Sequence, residues 1–96
     1  MHTSLPDPEI YQRAAELFSV LSTPVRLRII GELCRSERNV KDLLTCIPVS
    51  QPNMSRHLRV LYMAGILDKR KSGAQVYYRI ANDRVLSMCQ AVCTPA

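Results

Sequence analysis

The sequence predicts a mainly helical α+β fold in which four helices precede a small β-hairpin and a fifth helix follows it. Three observations favour this order. Apolar residues recur at helical spacing in four segments before residue 65, they alternate with polar residues over 75–80, and helical spacing returns after residue 83. Proline or glycine marks most of the boundaries between these segments. We therefore expect one domain over residues 1–96.

Length and composition indicate a small globular protein. The chain has 96 residues, of which 47% are hydrophobic and 22% are charged. A domain of this size buries a limited core, which favours oligomerisation. No apolar run approaches the roughly 20 residues that a membrane span needs, and no signal-peptide segment is recognisable. We expect a cytoplasmic protein with no membrane partner.

Two helices are predicted before residue 35, and each begins with a capping residue followed by proline. Asp7-Pro8 begins the first helix, whose apolar stripe consists of Ile10, Ala14, Leu17, Phe18 and Leu21. Thr23-Pro24 begins the second helix, whose inward face consists of Leu27, Ile30, Leu33 and Cys34.

A short third helix over 40–46 and a longer fourth helix are predicted to form a helix-turn-helix. After a polar link over 35–38, Asn39 can cap the third helix, and Pro48 ends it. Ser50 then caps the fourth helix, so only two residues separate the pair. A tight turn between a short helix and a second helix with a polar outer face is typical of this motif.

The fourth helix has an apolar face and a polar face. The apolar face consists of Met54, Leu58, Leu61 and Tyr62. The polar face carries Asn53, Arg56 and Arg59, with Ser55 and His57 on its flanks. No Asp or Glu occurs between Val49 and Leu67, whereas a solvated helix face usually carries both signs of charge. Such side chains are donors for base edges and phosphates.

Two strands around Ser72-Gly73 follow, after Gly65 has ended the fourth helix. The hairpin tip over 69–73 is basic, and we expect it to be flexible. Because a two-stranded hairpin is not stable alone, it should lie against the helices as a wing. Asn82 or Asp83 then caps the last helix. The whole order predicts a winged helix-turn-helix.

Charge is distributed unevenly along the chain. The net charge is +5, and residues 55–79 hold a single acid, Asp68, against six cations: Arg56, Arg59, Lys69, Arg70, Lys71 and Arg79. This concentration of positive charge favours a polyanion as partner, and the predicted helix-turn-helix indicates that the polyanion is duplex DNA. An enzyme is not expected, because the sequence shows no Gly-rich phosphate loop, no acid pair in a plausible cleft and no nucleophile with an adjacent base.

Several motifs resemble the ArsR/SmtB family of bacterial winged helix-turn-helix metalloregulatory transcriptional repressors. They are Thr23-Pro24-x-Arg26-Leu27-x-Ile29, Ser50-Gln51-Pro52-x-x-Ser55-x-His57-Leu58-x-x-Leu61, Gly65-Ile66-Leu67 and Gly73-x-x-Val76-Tyr77-Tyr78-Arg79-Ile80. The resemblance implies a homodimer formed by the first and last helices, with recognition helices in successive major grooves of operator DNA. It also implies that DNA binding needs no cofactor and that an inducer releases the repressor.

The resemblance assigns DNA contact to four residues of the fourth helix: Ser50, Gln51, Ser55 and His57. We add Asn53, and we expect Arg56 and Arg59 to contact phosphates or guanines. The wing would reach phosphates or the adjacent minor groove with Lys69, Arg70 and Lys71. The alternatives are a structural histidine at position 57 and simple solvation of Arg59 and the wing cations. A winged helix that only binds proteins, with no inducer, is a further alternative.

The family's two best-known metal sites are absent from this sequence. Asn39, Lys41 and Leu44 stand where the arsenic-sensing members carry cysteines, and Asn82 and Arg84 stand where the zinc-sensing members carry Asp and His. A specific inducer therefore cannot be transferred from the family.

The cysteines remain as candidates for sensing. Cys89 and Cys93 are spaced i, i+4 on the last helix, and Cys34 could supply a third thiolate for As(III) or Sb(III). Alternatively, Cys34 and a cysteine of the last helix could sense reactive sulfur or oxidants by forming a bridge. A third interpretation is that these residues only pack at a dimer interface. Cys46 is expected to be structural.

Overall fold

The computed structural model describes residues 7–95, which form five helices and three strands. In chain order these are α1 (Pro8–Leu21), α2 (Pro24–Leu33), β1 (Arg38–Asn39), α3 (Val40–Cys46), α4 (Gln51–Met63), β2 (Leu67–Ser72), β3 (Gln75–Ile80) and α5 (Asp83–Val92). The five predicted helices and the hairpin are confirmed. Within residues 7–95, no helix has both the length and the apolar character that crossing a membrane requires.

Every helix begins at a side chain that accepts a hydrogen bond from a backbone N–H of the first turn, which satisfies a donor that has no partner within the helix. Asn39 and Asp42 form a reciprocal capping box at α3. Of the two residues predicted to cap α5, Asn82 is the cap, because its Oδ1 accepts from the N–H groups of Arg84 and Val85. The N-caps are Asp7, Thr23, Asn39, Ser50 and Asn82.

The sheet is antiparallel and has three strands in the order β1-β3-β2. Arg38 of β1 lies opposite Tyr78, and Asn39 lies opposite Tyr77. The sequence predicted a two-stranded hairpin and a polar link over 35–38, so the third strand is a correction. Two residues are too few to show alternation, yet they cover the edge of β3 that would otherwise leave backbone groups unpaired.

The basic residues of the wing lie within β2, whereas the sequence placed them at the hairpin tip over 69–73, so the position of the turn is a second correction. β2 continues to Ser72, which pairs with Gln75, so the turn consists of Gly73 and Ala74 alone. Gly73 has a φ of +62°, a conformation that residues with a Cβ rarely adopt. Lys69, Arg70 and Lys71 are therefore held by the sheet ladder.

The buried core surrounds the inner face of α4. Met54, Leu58 and Leu61 are fully buried, and α2, α3, β2 and α5 pack around them with Ile29, Ile30, Leu33, Leu43, Ile47, Ile66, Leu67, Val85 and Cys89. Ile29, which the sequence did not place on the inward face, is buried, whereas Leu27 is half-buried. Tyr62 was predicted to be buried, but it is 36% exposed, because the apolar stripe leaves the core at the end of α4 and meets the wing.

Gly65 ends α4 as predicted, in a Schellman motif. Its φ is +77°, and its N–H donates to the carbonyl of Tyr62 at 3.0 Å. The N–H of Ile66 donates to the carbonyl of Leu61, also at 3.0 Å. This tight end turns the chain directly into β2 and so fixes where the wing lies relative to α4.

The first helix contributes little to this core. Leu21 is its one buried residue, while Ile10 and Phe18 of its apolar stripe are 51% and 59% exposed. The predicted amphipathic stripe is therefore present, but within the described chain most of it has no partner.

We predict that Leu58→Ala lowers the free energy of unfolding by about 3 kcal/mol, because it leaves a cavity in a fully packed core. The matched control is Met63→Ala on the same helix, since Met63 is 71% exposed and its truncation should cost less than about 0.5 kcal/mol. Urea denaturation at one fixed protein concentration measures both values. Equal losses for the two variants would contradict the packing described here.

Candidate nucleic-acid interface

Three hydrogen bonds hold the turn between α3 and α4. The hydroxyl of Ser50 accepts from the N–H of Asn53 at 3.3 Å, and the N–H of Val49 donates to the carbonyl of Ile47 at 2.9 Å. Nη2 of Arg28 donates to the carbonyl of Cys46 at 2.8 Å, at the end of α3. Because that carbonyl has no partner within its helix, the guanidinium both satisfies it and ties α2 to the turn.

The outer face of α4 is exposed along its length, as the predicted alternation of faces requires. The exposed residues include Gln51, Asn53, Ser55, Arg56 and Arg59. Within residues 7–95 the four ion pairs involve neither Arg56 nor Arg59. Nη1 of Arg56 donates to Oδ1 of Asn53 at 3.4 Å, a neutral contact that leaves its charge uncompensated. The face therefore presents hydrogen-bond donors and positive charge to solvent.

His57 lies at the edge of this face and is half-buried. Its Nδ1 accepts a hydrogen bond from Nε of Arg26 on α2 at 3.1 Å. Burial, followed by the charges of Arg26 and Arg56, lowers the pKa of His57 below its ordinary value. The acceptor role of Nδ1 and the lowered pKa both favour the neutral ring. Sequence reasoning did not find Arg26, because the contact joins residues 31 positions apart.

The three predicted wing cations lie in different environments. Arg70 donates through Nε to both carboxylate oxygens of Glu37 at 3.1 Å, and its guanidinium lies 4.8 Å from the ring centre of Tyr77. The same hydrogen bonds lower the pKa of the Glu37 carboxyl. Glu37 precedes β1, so the pair exists because the third strand, which the sequence did not predict, brings the two residues together.

The two wing lysines are not neutralised by acids within residues 7–95. Nζ of Lys69 lies 4.3 Å from the ring centre of Tyr62, a cation–π contact between β2 and the end of α4. Lys71 lies opposite Val76 and is exposed. Asp68 pairs instead with Arg79, at 3.2 Å. Lys69 and Lys71 therefore extend the positive surface of α4 onto the wing.

Of the three cysteines that the sequence singled out, Cys89 has both Cys34 and Cys93 as neighbours. Cys34 at the end of α2 is half-buried, Cys89 is 4% exposed and Cys93 is exposed. Burial, followed by hydrogen bonding with Cys93 and Cys34, raises the pKa of Cys89 to about 12. All three are free thiols. Cys46 is also free and lies apart from them, with its sulfur 3.6 Å from Oγ1 of Thr45.

No three side chains of His, Cys, Asp or Glu within residues 7–95 are grouped so that they could hold a metal ion. Two of the residues that replace the family's ligands have structural roles instead. Asn39 caps α3, and Asn82 caps α5.

A groove with a volume of about 600 Å³ lies between α1 and α5. It is lined mostly by apolar side chains, among them Ile10, Leu17, Phe18, Val85 and Met88. The exposed stripe of α1 therefore faces α5 across an open gap and not a closed core.

Comparison with known proteins identifies the family. The sequence model described as "Bacterial regulatory protein, arsR family" matches residues 23–69. The transcriptional repressor SmtB of Mycobacterium tuberculosis is 40% identical over 77 residues, which are 80% of this chain and 57% of that protein. The biofilm growth-associated repressor of Agrobacterium fabrum is 34% identical over 91 residues, covering 92% of this chain and 78% of that protein.

The arsenical resistance operon repressor of Escherichia coli is 42% identical over 72 residues, which are 69% of this chain and 57% of that protein. The chain thus spans little more than half the length of the M. tuberculosis and E. coli relatives.

Solved structures agree with this assignment. The transcriptional repressor BigR of Xylella fastidiosa superposes with a TM-score of 0.79 at 30% identity, covering 92% of this chain and 93% of that chain. A homodimeric winged helix-turn-helix DNA-binding domain from Mycobacterium bovis superposes with a TM-score of 0.78 at 26% identity, covering 96% and 87%. With its family match, its similar repressors and its winged helix-turn-helix fold, the chain belongs to the ArsR/SmtB family of bacterial transcriptional regulators.

Proposed function

We propose that the protein is a transcriptional repressor that inserts α4 into the major groove of operator DNA. The observation that carries this proposal is the exposed outer face of α4, which has donors and two uncompensated cations and no acid from Val49 to Leu67. Phosphates and guanine edges attract such a face, whereas an acidic or apolar face on α4 would have favoured a protein partner.

Base edges are the proposed partners of the first two turns of α4. Gln51, Asn53 and Ser55 offer amide and hydroxyl groups, and Arg56 can donate two hydrogen bonds to one guanine. Ser50 accepts its capping bond through oxygen, so its O–H remains free for a phosphate. At the edge of the face, His57 would contribute a neutral donor.

Phosphates are the proposed partners of Arg59, Lys69 and Lys71, which surround the outer face and extend onto the wing. Arg70 was predicted to do the same, but its guanidinium is engaged by Glu37 and Tyr77. We therefore propose that Arg70 stiffens the wing and that Lys71 carries its phosphate contact.

We predict that Arg59→Ala or Lys71→Ala weakens binding to all duplexes and lowers the salt slope of log K by about one per lost phosphate contact. Gln51→Ala should instead reduce discrimination between the operator and a scrambled duplex. Gel shifts with DNA from upstream of the protein's own gene, at several salt concentrations, measure both effects. Arg35→Ala is the control, because it removes the same charge from an exposed residue outside α4, the wing and the groove between α1 and α5.

Unchanged operator affinity in a Gln51→Ala, Arg56→Ala double variant would contradict the proposed DNA interface. If the native protein bound no duplex at all, the alternative of a winged helix that binds only proteins would be favoured.

The groove between α1 and α5 is the proposed dimer interface. Its apolar lining includes Ile10 and Phe18, each more than half exposed in a single chain, and Val92 of α5 is 69% exposed. Side chains of this kind are usually covered in a stable protein. The M. bovis neighbour, described as homodimeric, supports a second copy of the chain as the covering partner. A dimer would carry a net charge of about +10, twice the +5 of one chain.

We predict that Phe18→Glu converts the dimer to monomers, because it places a charge in an apolar interface that must be desolvated. Gln12→Glu adds the same charge on a different side of α1, where Gln12 is exposed, and should leave the dimer intact. Light scattering coupled to gel filtration measures the mass of each variant. A dimeric Phe18→Glu protein would place the interface elsewhere.

For the inducer, we propose a species that acts on the thiols of Cys34, Cys89 and Cys93, with trivalent arsenic or antimony as the first candidate. Thiolates are the ligands that such thiophilic elements prefer. Within residues 7–95 of one chain the thiols are not grouped as a ready three-ligand site, so we propose that binding draws them together. Arsenite and antimonite are neutral trihydroxides, so each sulfur–metalloid bond would form as one hydroxide leaves with the thiol proton as water. The pKa of about 12 at Cys89 therefore does not oppose binding, because the thiol enters the reaction with its proton.

A second candidate is thiol oxidation, favoured by the contact between Cys34 of α2 and Cys89 of α5. The two thiols would form a disulfide, and two electrons and two protons would pass to an oxidant such as a polysulfide. Because the thiolate of Cys89 is suppressed by its high pKa, attack on the oxidant would begin at Cys34 or Cys93. A new covalent link between α2 and α5 would then shift α2, which packs against α4.

We predict that arsenite or antimonite produces thiolate-to-metalloid absorbance and releases DNA, and that Cys89→Ser or Cys93→Ser abolishes both effects. Cys46→Ser is the matched control and should respond like the native protein, because Cys46 lies apart from the other thiols. In the polysulfide arm, mass spectrometry should find Cys34 bridged to α5. If a Cys34, Cys89, Cys93 triple serine variant still responds in cells, both candidates fail.

A further inference from the structure

A single guanidinium joins three helices at the edge of the outer face of α4. The backbone N–H of Arg26 donates to Oγ1 of Thr23 at 3.1 Å, within the N-terminal cap of α2. Nη1 donates to the carbonyl of Val20 near the end of α1 at 3.0 Å, and Nε donates to Nδ1 of His57 at 3.1 Å. Arg26 therefore has all its described contacts with α1, α2 and α4 and belongs to none of the four ion pairs within residues 7–95.

This contact determines which nitrogen of His57 carries the proton. An arginine side chain is always protonated in proteins, so its Nε is a donor and Nδ1 of His57 must be the acceptor. A neutral imidazole that accepts at Nδ1 carries its proton on Nε2. Protonating Nδ1 as well would break this hydrogen bond and place an imidazolium against the guanidinium, close to Arg56 as a second cation. The geometry and the charges thus favour the same neutral form.

The other ring nitrogen is free to make a contact outside the molecule. No described residue forms a hydrogen bond with Nε2 of His57. Across residues 7–95 the one side-chain nitrogen that is buried without a partner is Nε of Arg38, so Nε2 of His57 reaches solvent. It does so at the edge of the face that carries Arg56 and Ser55.

We propose that Arg26 is a positioning residue that holds His57 as the neutral Nε2–H tautomer, so that α4 presents a fixed, uncharged hydrogen-bond donor to DNA. The role of His57 as a donor to DNA rests on the proposed function, whereas its tautomer does not. A neutral donor adds direction without adding charge, so it contributes to the placement of α4 and not to the salt dependence of binding. The same guanidinium fixes α4 relative to the end of α1.

Nitrogen-15 NMR of the whole 96-residue chain tests the tautomer without DNA. The chain contains two histidines, and a His2→Gln variant leaves His57 as the single ring to be observed. We expect a proton on Nε2 and none on Nδ1 at pH 7. In Arg26→Met the ring should become a mixture of tautomers with a higher pKa, whereas Arg28→Met, which also removes a guanidinium from α2, should leave the spectrum of His57 unchanged. A cationic ring or an Nδ1–H tautomer in the native protein would overturn the proposal, and that measurement needs no Arg26 variant to fold.

Gel shifts on the same upstream duplex test the donor. We expect His57→Ala to lose about three- to tenfold in affinity with an unchanged salt slope, and His57→Gln, whose amide can donate near the position of Nε2, to recover most of it. Arg26→Met should weaken binding in the native background and have little further effect in the His57→Ala background, which is the coupling expected of residues that act together.

The donor role would be overturned if the losses of DNA affinity in Arg26→Met and His57→Ala added up in the double variant. A reduced salt slope in His57→Ala would overturn it as well. If no duplex is bound by the native protein, the donor role falls together with the proposed function, while the NMR result still decides the tautomer.

Discussion

Burial of one face of α4 is the constraint on which the rest of the structure depends. Met54, Leu58 and Leu61 are fully buried among side chains of the other elements, so the rotation of α4 about its own axis is set by hydrophobic packing. The polar side chains then have a single direction left, which is outward. No additional interaction is needed to keep these polar side chains on the outer face, because turning them inward would bury unpaired polar groups in place of apolar ones.

A second constraint arises from how the acids are used. Glu37 pairs with Arg70, Asp68 pairs with Arg79 and Glu32 lies 3.7 Å from Arg38, so the acids near the sheet are matched with structural cations. The cations that stay outside these pairs include Arg56, Arg59 and Lys71. The exposed pairs add little stability in water, but they divide the basic residues into those that shape the wing and those available to a polyanion.

Sequence reasoning was most successful where a pattern is local. Helix caps, the helical spacing of apolar residues and the glycine after α4 act within a few residues, and all five helices and the hairpin were predicted from them. The failures are contacts between distant segments. The two-residue strand at Arg38, the Glu37–Arg70 pair and the Arg26–His57 hydrogen bond each join residues at least 31 positions apart, and no local spacing reports them. For the same reason the sequence proposed a sensing role for the cysteines but could not choose among metalloid binding, bridging and packing.

The placement of α4 in the major groove is the central claim, and methylation interference tests it most directly. Dimethyl sulfate modifies guanine at N7 in the major groove and adenine at N3 in the minor groove, so one footprint separates the two. We expect binding to be blocked by methylated guanines in two clusters, centred about one helical turn (~10.5 base pairs) apart or a multiple of it, as two recognition helices of a dimer require. Interference confined to adenine N3, with methylated guanines tolerated throughout the site, would contradict a major-groove role for α4.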